Sequence, residues 1–159
     1  MDIIKAFNSV KDVPYRIPLS SEEEDHCCSG KHKRLKDLLK GYKTRYRICD
    51  FKWSSLDLPE RVKIVKHDDD CTHMYLEVFL DGKWVVVDAT WDKGLSRVFE
   101  INEWDGKTDT KIAVIPTNIY SPGKSLEILN AENIEEDLGR NGDFYEAFNE
   151  WLEDIRKGK

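Results

Sequence analysis

Three side chains that together can make an acyl-transfer centre are present as Cys28, His73 and Asp88. The thiolate, not the thiol, attacks an acyl carbon, and an ordinary cysteine is mostly thiol at neutral pH. A nearby imidazole can take the thiol proton, and a carboxylate can hold that imidazole in one tautomer. The chain also carries Cys27, Cys49 and Cys71, with His26, His32 and His67. A buried inert thiol is the commoner use of cysteine. Position in the secondary structure is what singles out Cys28, His73 and Asp88.

From Ser29 onward the spacing is helical. Leu35, Leu38, Leu39 and Tyr42 recur at i, i+3, i+4 and i+7, and Gly41 is placed as a C-terminal stop. Cys28 precedes Leu35 by two turns and so begins the same stripe. Cys27 is one residue out of register and reads as packing. Residues 44–53 predict a strand. Thr72 to Leu80 and Lys83 to Thr90 predict two more, joined by Asp81-Gly82, the two-residue signature of a type I′ hairpin. In that register Leu80 faces Lys83, Tyr75 faces Asp88 and His73 faces Thr90. His73 and Asp88 are then diagonal neighbours on one face, roughly 7–8 Å apart at the backbone and within reach of a His–carboxylate hydrogen bond. The other face carries Met74, Leu76, Val78, Leu80, Val85 and Val87, which reads as core and leaves the His73 face for chemistry. A one-residue bulge would send His73 and Asp88 to opposite faces.

These segments resemble the transglutaminase-like superfamily, whose fold is related to papain. Cys28-Ser29-Gly30-Lys31 with Leu35, Leu38, Leu39 and Gly41 is similar to the cysteine helix of short bacterial and archaeal members. Thr72-His73-Met74-Tyr75-Leu76-Glu77-Val78, Asp81-Gly82-Lys83-Trp84 and Asp88-Ala89-Thr90-Trp91-Asp92 resemble the family's histidine and aspartate strands. The match is strongest over residues 26–92, within a single domain spanning 1–159. It implies an α+β, transglutaminase-like fold with the cysteine helix packed on an antiparallel sheet. It further implies Cys28 as nucleophile, His73 as base and Asp88 as the group that orients it. The implied activity is acyl transfer or amide hydrolysis through a thioester, on a peptide, protein or small acyl or amide substrate, without a cofactor. Tyr15, Trp53 and Trp91 are candidates for a second oxyanion donor beside the Cys28 N–H. Relatives that have lost catalysis make an idle binding module the alternative.

The rest of the chain bounds these expectations. A formal net charge of −6 opposes binding to nucleic acid or anionic lipid. One basic stretch, Lys31 to Cys49, has Asp37 as its only acid among nine Lys, Arg and His, and reads as a solvated outer face. The acidic run Glu22–Asp25 precedes the cysteine helix and would oppose a thiolate if it lay close. No membrane-length apolar run is present, and four cysteines without a secretory signal argue for reduced thiols in the cytoplasm. His26, Cys27, Cys28, Cys71 and His73 could between them supply four zinc ligands, but the usual C-x₂₋₄-C spacing is missing. His26, His32 and His67 read as surface groups, and Asp68-Asp69-Asp70 as a solvated loop. Residues 3–10 predict a short helix and Ile112 to Ile115 a short strand. Asp143 to Arg156 predicts an amphipathic C-terminal helix, with Asp143 and Glu146 as a capping box.

Overall fold

The computed structural model describes residues 2–159. Helix α1 (Ile3–Lys11) starts on the Asp2 side chain, which accepts the Ile4 N–H. Helix α2 (Cys28–Leu38) follows an irregular segment and leads into strand β1 (Thr44–Lys52). The single turn α3 (Glu60–Lys63) precedes β2 (Asp70–Leu80) and β3 (Lys83–Val87). After a long loop come the two-residue strand β4 (Asn118–Ile119), helix α4 (Pro122–Asn130) and helix α5 (Ile134–Arg156). The class is α+β, with one antiparallel sheet in the order β3-β2-β1-β4.

The β2–β3 hairpin has the register that its turn requires. Leu80 pairs with Lys83, Val78 with Val85 and Leu76 with Val87. Asp81 and Gly82 both have positive φ, 49° and 80°, as a type I′ turn demands. Strand β3 ends at Val87, so Asp88, Ala89 and Thr90 leave the ladder and are free to turn toward other elements.

Helices cover both faces of the sheet. On one face Leu76, Val78, Val85 and Val87 pack against Ala6, Phe7 and Val10 of α1, Leu35 of α2 and Leu39, the residue that caps α2. On the other, Cys49, Phe51 and Tyr75 join Trp53, Trp91 and an α5 stripe of Phe144, Phe148, Leu152 and Ile155. The His73 face is therefore not left open. Residues 73–78 of β2 are buried without a break, as in strands covered on both sides.

Three expectations are corrected. Helix α5 begins nine residues before Asp143. Asn133 is its N-cap, accepting the Glu136 N–H, and Glu135, Glu136 and Asp137 favour the positive end of the helix. Asp143 is mid-helix, and Gly139 and Gly142 do not break the element because its buried aromatic stripe outweighs their cost. Residues 112–115 are not a strand, since side chains take the backbone groups a ladder would use: Lys111 N–H donates to Asn102 and Ala113 N–H to Asp88. Helix α2 stops at Leu38, before Gly41, and Tyr42 lies beyond it and is exposed. No helix among the described residues is long and apolar enough to cross a membrane.

Candidate active site

Cys28 is the first residue of α2, with Cys27 as an extended N-cap that makes no side-chain cap bond. Asp25 serves that end instead. Its Oδ1 accepts the Cys27 N–H at 2.9 Å and its Oδ2 accepts the Ser29 hydroxyl at 2.7 Å. Gly30 permits this fold-back, because a Cβ there would lie 1.9 Å from the Asp25 carbonyl oxygen. The acidic run is thus largely committed. Glu23 binds Arg16 and the Leu19 N–H, and Glu24 pairs with His26. The Cys28 N–H, one of the helix's orphan donors, meets no acceptor among the described residues.

His73 Nε2 and Asp88 Oδ2 are 2.8 Å apart. Asp88 is fully buried and accepts three further bonds, from the Thr90 N–H, the Thr90 hydroxyl and the Ala113 N–H. Burial by itself raises a carboxyl pKa. Here the adjacent His73 and these hydrogen bonds outweigh it and hold Asp88 below the usual carboxylate range. An ionised Asp88 can only accept, so His73 Nε2 carries the proton. In the neutral ring Nδ1 is then the lone-pair nitrogen. It makes no hydrogen bond among the described residues, and His73 borders the same cleft of about 700 Å³ as Cys27, Cys28 and Cys71.

The other thiols are held protonated. Cys27 is pushed well up by the adjacent Cys28 thiol and by burial. Burial raises Cys49 to about 12 and Cys71 to about 12. Cys49 pairs across the ladder with His73 but is fully buried.

Two residues read as surface groups from the sequence are buried in the support of this site. His32 has no exposure. Its Nε2 faces the Ala89 N–H at 2.9 Å and must accept, so Nδ1 carries the proton and donates to the Cys28 carbonyl at 2.7 Å. It bridges the turn that carries the cysteine to the residue after Asp88, and burial lowers its pKa to about 4. Lys31 is 3% exposed, and its ammonium donates to the carbonyls of Lys11, Val13 and Thr90. Burial brings it down to about 8. A signal for His32 does exist in the sequence: positions 28, 32, 35 and 39 form one helical stripe. His67 stacks on Phe144 at 3.8 Å, and the three aspartates pair with Arg140, Ser54 and Lys52 in turn.

No family model matches the chain, and no solved structure matches it. Among the described residues no group of three or more His, Cys, Asp and Glu is placed to hold a metal ion.

Proposed function

We propose that this protein is a cysteine-dependent acyltransferase or amide hydrolase of transglutaminase-like fold, with Cys28 as nucleophile, His73 as base and Asp88 as the residue that orients His73. The observation that carries the reading is the 2.8 Å bond between His73 and a buried, ionised Asp88. That bond leaves the opposite ring nitrogen unspent beside the cleft Cys28 lines. Cys28 heads an eleven-residue helix, whose positive end favours a thiolate. In the proposed reaction His73 Nδ1 takes the thiol proton, the sulfur adds to an acyl carbon, and the leaving group departs with that proton. A water or an amine then releases the thioester. The substrate class is a peptide, protein or small acyl or amide compound.

The test is alkylation by iodoacetamide at about pH 6–7, read residue by residue by mass spectrometry. Cys28 is expected to label faster than a small model thiol. His73→Ala is expected to slow it by on the order of tenfold, the effect of one lost counter-charge. Equal rates in the two proteins, with Cys28 accessible in both, would assign the domain to binding rather than catalysis.

A further inference from the structure

Tyr15 places a second unspent donor at the cleft. The residue is 6% exposed, its ring packs on Trp91 at 4.9 Å, and Phe148 meets it edge-on at 6.3 Å. Its backbone is fixed on both sides: the N–H donates to Asp92 Oδ1 and the carbonyl accepts from Arg156. Trp91 and Phe148 pack the ring between them. Its hydroxyl makes no hydrogen bond among the described residues, yet the side chain borders the cleft together with Cys28. Buried phenols ordinarily find a partner within the protein. A fixed donor without one, on the wall of a cleft that also holds a nucleophile, is free to meet a bound ligand.

The electrostatics suit a donor. Burial raises the phenol well above its usual value, and the neighbouring Cys28 and Cys27 sulfurs raise it further, so Tyr15 stays a neutral O–H. Of the two other aromatic candidates, Trp91 is already engaged, its Nε1 donating to the Ala113 carbonyl at 3.1 Å, and Trp53 is packed edge-on among Phe51, Phe144 and Phe148.

We propose that the Tyr15 hydroxyl is a catalytic residue, the second oxyanion donor beside the Cys28 N–H, an assignment that rests on Cys28 being the nucleophile. As the sulfur adds to the acyl carbon, the C–S bond forms and the carbonyl π pair moves onto oxygen. That oxygen takes hydrogen bonds from the Tyr15 O–H and the Cys28 N–H. When the pair returns, the bond to the leaving group breaks and the thioester remains. Donors fixed in advance at this oxygen act on the transition state more than on the ground state.

The experiment compares two reactions of the same sulfur. p-Nitrophenyl acetate passes through an oxyanion, releasing p-nitrophenolate and leaving an acetyl group on Cys28. Iodoacetamide alkylates by direct displacement and forms no oxyanion. Tyr15→Phe keeps the ring and its packing. It is expected to slow acetylation of Cys28 by on the order of 10²-fold, the usual effect of losing one such donor, while alkylation stays at the wild-type rate. Unchanged acetylation in Tyr15→Phe would overturn the assignment. Equal slowing of both reactions would also overturn it, since Tyr15 would then act on the thiolate or on the fold. Wild-type protein that alkylates at Cys28 but never acetylates would overturn the nucleophile reading itself, and the Tyr15 role with it.

Discussion

His32 does at residue scale what a loop cannot. It ties the Cys28 carbonyl to the Ala89 N–H through one neutral ring, so the first turn of α2 and the chain segment bearing Asp88 are linked directly. Neutrality has a consequence for stability. The folded protein protonates His32 only near pH 4, whereas an unfolded chain does so near about 6.5. Between those values the unfolded state binds more protons, so stability is lost as pH falls through the window, by about 3 kcal/mol at its lower end. Asp88 acts in the same direction at lower pH, because its folded pKa is depressed and its contribution disappears once it is protonated. Urea titrations from about pH 7 to pH 4 are expected to show this loss. In His32→Gln the slope between those limits should flatten, even if the variant is less stable throughout.

At the scale of elements, two devices hold the site's parts in place. The first is the tight start of α2, where Gly30 lies against the Asp25 backbone. Gly30→Ala has to push the two apart. It is expected to cost roughly 1–3 kcal/mol, as overpacking does, and to change the rate of Cys28 labelling, because the turn carrying it shifts. The second is the end of α5. Arg156 binds Asp92 through two nitrogens at 3.0 and 2.8 Å and also holds the Tyr15 carbonyl at 2.8 Å. The side chains of Arg156 and Asp92 are 14% and 4% exposed. Removing only the cation strands a buried carboxylate. Arg156→Met is therefore expected to lose about 3–5 kcal/mol in urea unfolding, and the double variant with Asp92→Asn to lose less than the single one.

Over the whole molecule, the sheet is held between two apolar clusters. One belongs to α1 and α2, and the other is aromatic and led by α5. The cleft lies at the edge of the aromatic cluster, where β2, the start of α2 and α5 meet. Stability should then come from packing rather than from a bound ion. Protein purified without chelator is expected to contain no stoichiometric zinc by elemental analysis, and EDTA should leave its thermal unfolding unchanged. Stoichiometric zinc lost together with the fold would favour the Cys/His metal-binding alternative.

What was readable in advance follows from what local pattern encodes. Asp81-Gly82 and the alternation on each side determined the hairpin register, because a two-residue turn leaves one pairing and side chains alternate by two. That register put His73 and Asp88 on one face before any contact was known. The stripe from Cys28 to Leu39 likewise marked the buried side of α2. Periodicity says that a face is buried and not what buries it. So the aromatic cluster packed on the Tyr75 face of the sheet was hidden, since Phe144 and Phe148 come from a helix some seventy residues further along. His32 and Lys31 looked like parts of a basic surface because their partners, Ala89 and Thr90, lie 57 and 59 residues away. Residues 112–115 have a strand's composition, yet the Ala113 N–H is taken by Asp88 from across the fold. Only the tertiary structure decides such cases, because a buried polar group is satisfied by whichever partner packing brings to it, at any separation along the chain.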